Sequence, residues 1–177
     1  MRGTVTPRYV LGLPYNSAMV PMKLRTKIRL DPERYGDPGS VWHVSTTTLH
    51  RKPVLTDPEM AAVVVDAFRF QCAKAKADLL LYCIMPDHVQ IVVTITDIDL
   101  ISILRDVKSW TTHVWTKRTG QKHLWQESFH DHGVRRSERM DDLVAYVVAN
   151  PVDAGLVADW RAYPWLGGTL LDDASPT

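Results

Sequence analysis

The sequence predicts an α+β fold of ferredoxin-like type, an antiparallel sheet with helices packed on one face. Strand and helix periodicities follow one another in the order β, α, β, β, α, β, α. The two central extended runs are separated only by Met85, Pro86 and Asp87, which makes them an antiparallel hairpin. A chain of 177 residues with 45% hydrophobic side chains can bury one good core but is too short for two ordinary domains.

Val41 to Leu49, VWHVSTTTL, is rich in β-branched residues and reads as the first strand. In TDPEMAAVVVDAFRFQCAKAKA, Thr56 or Asp57 can cap a helix, Pro58 suits its first turn, and Met60, Val63, Val64 and Ala67 form one stripe. Asp78 to Ile84 and His88 to Ile95 are the hairpin strands. Leu100, Leu104, Val107, Thr111 and Val114 return to helical spacing, and Gly120 is a C-terminal stop. Phe129 to Arg135 is a short strand, and Ser137 caps a helix running to about Ala149, which Pro151 ends.

Residues 1–40, with five prolines and four glycines, read as a partly disordered extension; residues 41–165 form the domain and 166–177 a tail. No apolar run reaches the length of a membrane span and no secretion signal is visible, so a cytoplasmic protein is expected. Cys72 and Cys83 lack CxxC spacing and read as core thiols. The net charge of +1 excludes a bulk polycation, but it is unevenly distributed. Residues 1–40 and 105–136 each carry seven basic against three acidic side chains, so a local positive face is allowed.

Two constellations carry chemistry. In MPDHVQIVV, His88 and Gln90 are two strand positions apart and share a face, where an imidazole nitrogen and an amide oxygen can reach one small cation. In AYVVANPVDAG, Tyr146 and Asn150 are one turn apart beside the apolar arc of Met140, Leu143, Val144, Val147 and Val148. Each also has a plain structural reading: a hydrogen-bonded polar pair, and an amphipathic tyrosine with a helix-capping amide. No general base is identifiable; Asp87 is adjacent to His88 but could equally be turn chemistry.

MPDHVQIVV, then LWQESFHDHGVR, then YVVANPVDAGLV, in this order, resemble the REP-associated tyrosine transposases, single-tyrosine members of the HUH endonuclease superfamily. The resemblance covers roughly Val41 to Trp165. It implies that His88 and Asn150 are ligands of a divalent metal and that Tyr146 is the nucleophile. Gln90 stands where the family usually has a second histidine; an amide oxygen suits Mg²⁺ or Mn²⁺ and implies weaker binding. Related replication-initiator nucleases use the same His, hydrophobic, Gln arrangement.

The implied activity is a metal-dependent single-stranded DNA endonuclease and strand transferase working through a covalent 5′-phosphotyrosine. Its implied substrate is hairpin DNA from repetitive palindromes, and the implied location is the nucleoid. A monomer is expected rather than a dimer. Arg105, Lys108, Lys117, Arg118, Lys122, Arg135 and Arg136 could track phosphates, and Trp115, interleaved with them, could stack on a base. His130 and His132 share a strand face without a third ligand close in sequence. The main alternative is a DNA-binding protein of the same family whose catalysis has weakened; a metal hydrolase unrelated to DNA is a third reading.

Overall fold

The computed structural model describes residues 9–10, 13–14, 35, 38–96, 98–134 and 140–172. A five-stranded antiparallel sheet is built from β1 (Val41–Thr47), β2 (Asp78–Ile84), β3 (His88–Thr94), β4 (His130–Gly133) and β5 (Leu166–Gly167), in the order β4-β1-β3-β2-β5. Its first four strands have the ferredoxin-like order, so the chain is α+β as expected. Tyr9–Val10 and Leu13–Pro14 pair as a separate short ribbon.

Among the described residues, three helices of more than one turn accompany the sheet: α1 (Pro58–Lys74), α2 (Leu100–Thr119) and α3 (Met140–Asp153), with a short α4 (Thr169–Asp172) after β5. The Asp57 carboxylate accepts from Glu59 N at 3.0 Å and caps α1, with Pro58 in the first turn. Asp99 caps α2 through Ser102 N, and Gly120, at φ 76, closes it in the left-handed region open to glycine.

The two faces of the sheet bury different partners. Trp42 and Val44 of β1, Tyr82 and Ile84 of β2, and Val89, Ile91 and Val93 of β3 join the apolar sides of α1 and α2 in the larger core. Leu81, Cys83 and Val92 point the other way and pack with Leu143, Val144, Val147 and Val148 of α3. The expectation of helices on one face therefore holds for α1 and α2, while α3 covers the opposite face. The cause is visible in β2 and β3, whose buried residues do not alternate but run consecutively, as strands covered on both sides do.

Three boundaries differ from expectation. Pro151 lies inside α3, which continues to Asp153. A proline there cannot donate to the Val147 carbonyl, and the Asn150 amide substitutes for it, its Nδ2 donating to Tyr146 O at 2.8 Å and to Val147 O at 3.2 Å. The segment expected as a tail from residue 166 begins with β5, which pairs Leu166 with Cys83 and Gly167 with Tyr82. Gly168 at φ 129 is required, since a Cβ would sit 2.5 Å from Leu80 O. Tyr35, within the expected extension, is buried against Trp42 and donates to Asp131 Oδ2 at 3.0 Å. The expected cap Ser137 and the end of the fourth strand at Arg135 lie outside the described residues.

Candidate active site

Cross-strand register decides which side chains meet. Ser45 and Cys83 flank Gln90 on the neighbouring strands, Thr47 lies opposite His88, and His43 opposite both Val92 and His132. Residues opposite one another share a face, so His88, Gln90, His43, His130 and His132 all occupy the face that α3 partly covers. α3 brings Tyr146 to this face, where its ring meets the His43 ring edge-on at 6.0 Å and 81°.

His88 is held by its neighbour. Asp87 Oδ1 lies 2.7 Å from His88 Nδ1, and Asp87 Oδ2 accepts from Arg51 Nη1 at 3.0 Å. Burial alone would raise the Asp87 carboxyl, but the His88 hydrogen bond and charge, then those of Arg51, outweigh it and hold the pKa below the usual carboxylate value. A carboxylate only accepts, so Nδ1 carries the proton, and in the neutral ring it is Nε2 that presents a lone pair to the sheet face.

The loop supplying Arg51 is strained, with His50 at φ 57 and Arg51 at φ 53, left-handed values that cost non-glycine residues about 1–2 kcal/mol each. Thr48 ties it down: its N and Oγ1 donate to Asp87 O at 2.9 and 3.0 Å.

Gln90, only 3% exposed, donates through Nε2 towards His88 Nε2 at a long 3.4 Å, while its Oε1 lies 3.1 Å from His43 Nε2. Burial lowers the His43 pKa to about 4, despite the opposing Gln90 hydrogen bond and with a smaller contribution from His132, so the ring is neutral at pH 7. Asn150 spends its Nδ2 on α3 carbonyls, which leaves its Oδ1 without a hydrogen bond among the described residues. Burial also raises the Tyr146 phenol above its ordinary pKa.

The donor types suit a hard divalent cation: one imidazole lone pair fixed by a carboxylate, and amide oxygens from Gln90 and Asn150. Gln90, however, turns its NH₂ rather than its oxygen towards His88, so ligation through Oε1 requires the amide to turn over. The sequence singled out His88, Gln90, Tyr146 and Asn150 but missed Arg51 and His43, and it left Asp87 between a place beside the ligands and turn chemistry. His43 could have been found by pairing VWHVSTT with HVQIVVT in antiparallel register.

The expected DNA-contacting residues separate into groups. Trp115 is 9% exposed and packs in the larger core, one turn beyond Thr111 on the buried stripe of α2. Lys108 donates to the carbonyls of Gln126 at 2.8 Å and Ser128 at 3.3 Å, and burial lowers its pKa to about 8. Arg118 is paired with Asp57 and Glu59 at 3.0 and 2.8 Å, and Arg105 with Asp106 at 3.0 Å. Lys117 and Lys122 are exposed and have no ion pair among the described residues. Lys122 sits in the segment whose Gln121 and His123 line a shallow depression with Thr48, Lys52 and Trp115. Arg135 and Arg136 lie outside the described residues.

The family that the sequence matches places the chain among the DNA-processing transposases. It belongs to the transposase IS200-like family, whose model matches residues 39–150. It is similar to the REP-associated tyrosine transposase of Escherichia coli strain K12, 26% identical over 136 residues that cover 72% of this chain and 77% of that one. A solved structure of a REP-associated tyrosine transposase bound to a REP hairpin shares the fold. Its TM-score is 0.66 at 23% identity, covering 80% of this chain and 82% of the other. No helix among the described residues is long and apolar enough to cross a membrane.

Proposed function

We propose that the protein is a divalent-metal-dependent endonuclease and strand transferase for single-stranded and hairpin DNA, with Tyr146 as nucleophile. The observation that carries this reading is the meeting of two elements on one sheet face: His88, its Nε2 lone pair set by Asp87, on β3, and Tyr146, against His43, on α3. The similar proteins named REP-associated tyrosine transposases, one of them solved with a REP hairpin, support a palindromic hairpin as substrate.

In this reading the Tyr146 oxygen attacks phosphorus in line as the phenol loses its proton. The bond to the 3′-oxygen breaks, that oxygen takes up a proton, and a 5′-phosphotyrosine remains. The phosphodiester energy is conserved for rejoining. A half-buried phenol whose pKa is raised is a weak nucleophile at neutral pH. His88, Gln90 and Asn150 would hold Mg²⁺ or Mn²⁺, which when bound polarises the phosphate and stabilises the leaving oxygen. Asp87 and Arg51 keep the His88 ring in its ligating tautomer. Of the cations singled out from the sequence, Lys117 and Lys122 are the exposed ones left to meet phosphates, since Lys108, Arg118 and Arg105 are already engaged.

Incubation with a labelled hairpin bearing a single-stranded flank and Mn²⁺ gives a covalent adduct that Tyr146→Phe abolishes. The alternative is a DNA-binding protein with weakened catalysis. One observation favours it, an amide at Gln90 where the resemblance implies a second histidine, and it would give hairpin binding without adduct.

A further inference from the structure

Large exposed apolar side chains are few among the described residues: Phe70 at 66%, Trp110 at 55% and, less so, Leu156. Two of these sit at one level of the helix pair. Lys74 pairs with Asp106 at 4.0 Å, and Arg118 with Asp57 and Glu59 at 3.0 and 2.8 Å, so α1 and α2 run antiparallel. One turn back from Lys74 is Phe70, and one turn on from Asp106 is Trp110. His113 steadies the indole, its ring stacked against that of Trp110 at 5.9 Å and 24°. Exposed Lys117 follows one turn beyond His113 on the same side of α2, roughly 10 Å along the axis from Trp110.

This surface is positive. Residues 107–126 hold Lys108, Lys117, Arg118 and Lys122, with His113 and His123, and no acidic side chain. The cations continue into the loop beside the site. Leu49 N donates to Leu124 O at 2.8 Å and Thr48 N to Asp87 O at 2.9 Å. The 48–54 segment, with exposed Lys52, therefore joins the turn after α2 to the residue that holds His88. Because α1 and α2 cover the sheet face opposite α3, the route from Lys52 through Lys122 and Lys117 to Trp110 leads away from Tyr146 round the end of the sheet.

We propose that Trp110, with Phe70 beside it, is a stacking platform for unpaired bases of a single DNA strand whose phosphates follow Lys52, Lys122 and Lys117. Aromatic faces stack on any base, and the charge of the strand matches cations that have no ion pair among the described residues. A second copy of this chain is the poorer occupant, since two such positive faces repel one another. His113 adds preorganisation, because a ring already fixed loses little freedom on stacking. The cleavage step uses neither ring. The proposal rests on DNA being the ligand, and it extends that reading from the tyrosine site to a strand-holding surface on the far side of the sheet.

Fluorescence anisotropy of a labelled oligothymidylate, which has no hairpin, tests this on the full-length protein. Trp110→Ala is expected to weaken binding roughly 5- to 150-fold, the usual effect of losing one stacked base. It keeps the parent salt dependence, because stacking releases no counterion, and the parent melting temperature. Trp110→Phe retains an aromatic face and most of the affinity, whereas Lys117→Ala lowers the salt slope. On a blunt duplex of the same length Trp110→Ala has no effect, since those bases are already stacked. A parent that ignores the single strand, a Trp110→Ala that binds it as the parent does, or an equal loss on the duplex overturns the proposal. So does a parent that self-associates through Trp110 and binds the oligonucleotide without it. The two readings fail separately: no Tyr146 adduct with the Trp110 effect intact removes cleavage and leaves the platform, and an adduct without a Trp110 effect does the reverse.

Discussion

Asp87 Oδ1 accepts the Nδ1 proton of His88 at 2.7 Å, and this one contact sets which His88 nitrogen faces the sheet surface. Carboxylates behind metal-ligating histidines contribute roughly 10–100-fold in affinity or activity when tested by mutation. Asp87→Ala is expected to weaken Mn²⁺ binding by about that factor, measured by titration of the full-length protein. An affinity within twofold of the parent would remove Asp87 from the site.

Asn150 has two tasks that a single substitution can separate. Its Nδ2 stabilises the α3 carbonyls beside Pro151, and its Oδ1 is free for a ligand. Asn150→Asp keeps an oxygen donor but loses both hydrogen bonds to Tyr146 O and Val147 O. It is expected to lower stability by roughly 1–3 kcal/mol, the usual cost of stranding a buried acceptor, while retaining metal binding. Thermal unfolding together with Mn²⁺ titration checks both; unchanged stability would mean the carbonyls find other donors.

Lys108 provides a pH test of the packing between α2 and the 126–128 segment. Its folded pKa, about 8, lies below the unfolded value of 10.5. Between these values the unfolded chain binds the extra proton, so stability rises with pH across the window from about 8 to 10.5 and is lost again as pH falls. Relative to Lys108→Met, the parent protein should therefore gain melting temperature from pH 8 to pH 10. A difference that stays flat or reverses would show that the ammonium is well solvated.

Trp115 and Lys122 should behave oppositely. Trp115→Ala opens the core and is expected to cost about 3–5 kcal/mol of stability, with DNA affinity affected only through folding. Lys122→Ala, on the surface, is expected to leave the melting temperature unchanged and to reduce the salt dependence of hairpin binding by roughly one phosphate contact. Equilibrium binding at several salt concentrations distinguishes them. A parent-like slope in Lys122→Ala would exclude that residue from the phosphate track.

Much of the fold was legible because periodicity is a local property. The α1 stripe, the hairpin around Met85 to Asp87 and the stop at Gly120 all follow from neighbours in sequence. That α3 covers the opposite face does not follow from its own stripe, although the apolar runs LLLYCI and IVV signal a sheet covered on both faces. Pro151 was misread as a helix end because the compensating donor, Asn150, acts through its side chain. Trp115 was placed with the charges around it in sequence, whereas helical geometry puts it with Thr111 and Val107 in the core. His43 carried no signal in its own strand; it gains meaning only when register brings it to Gln90.

Mass spectrometry of the protein after reaction with a hairpin oligonucleotide and Mn²⁺ shows whether Tyr146 is a nucleophile acting beside a His88 metal site. The expected product is a peptide carrying a 5′-phosphonucleotide on Tyr146, absent from Tyr146→Phe and strongly reduced in His88→Ala. A cleaved strand with no protein adduct, or an adduct that survives in Tyr146→Phe, would contradict it.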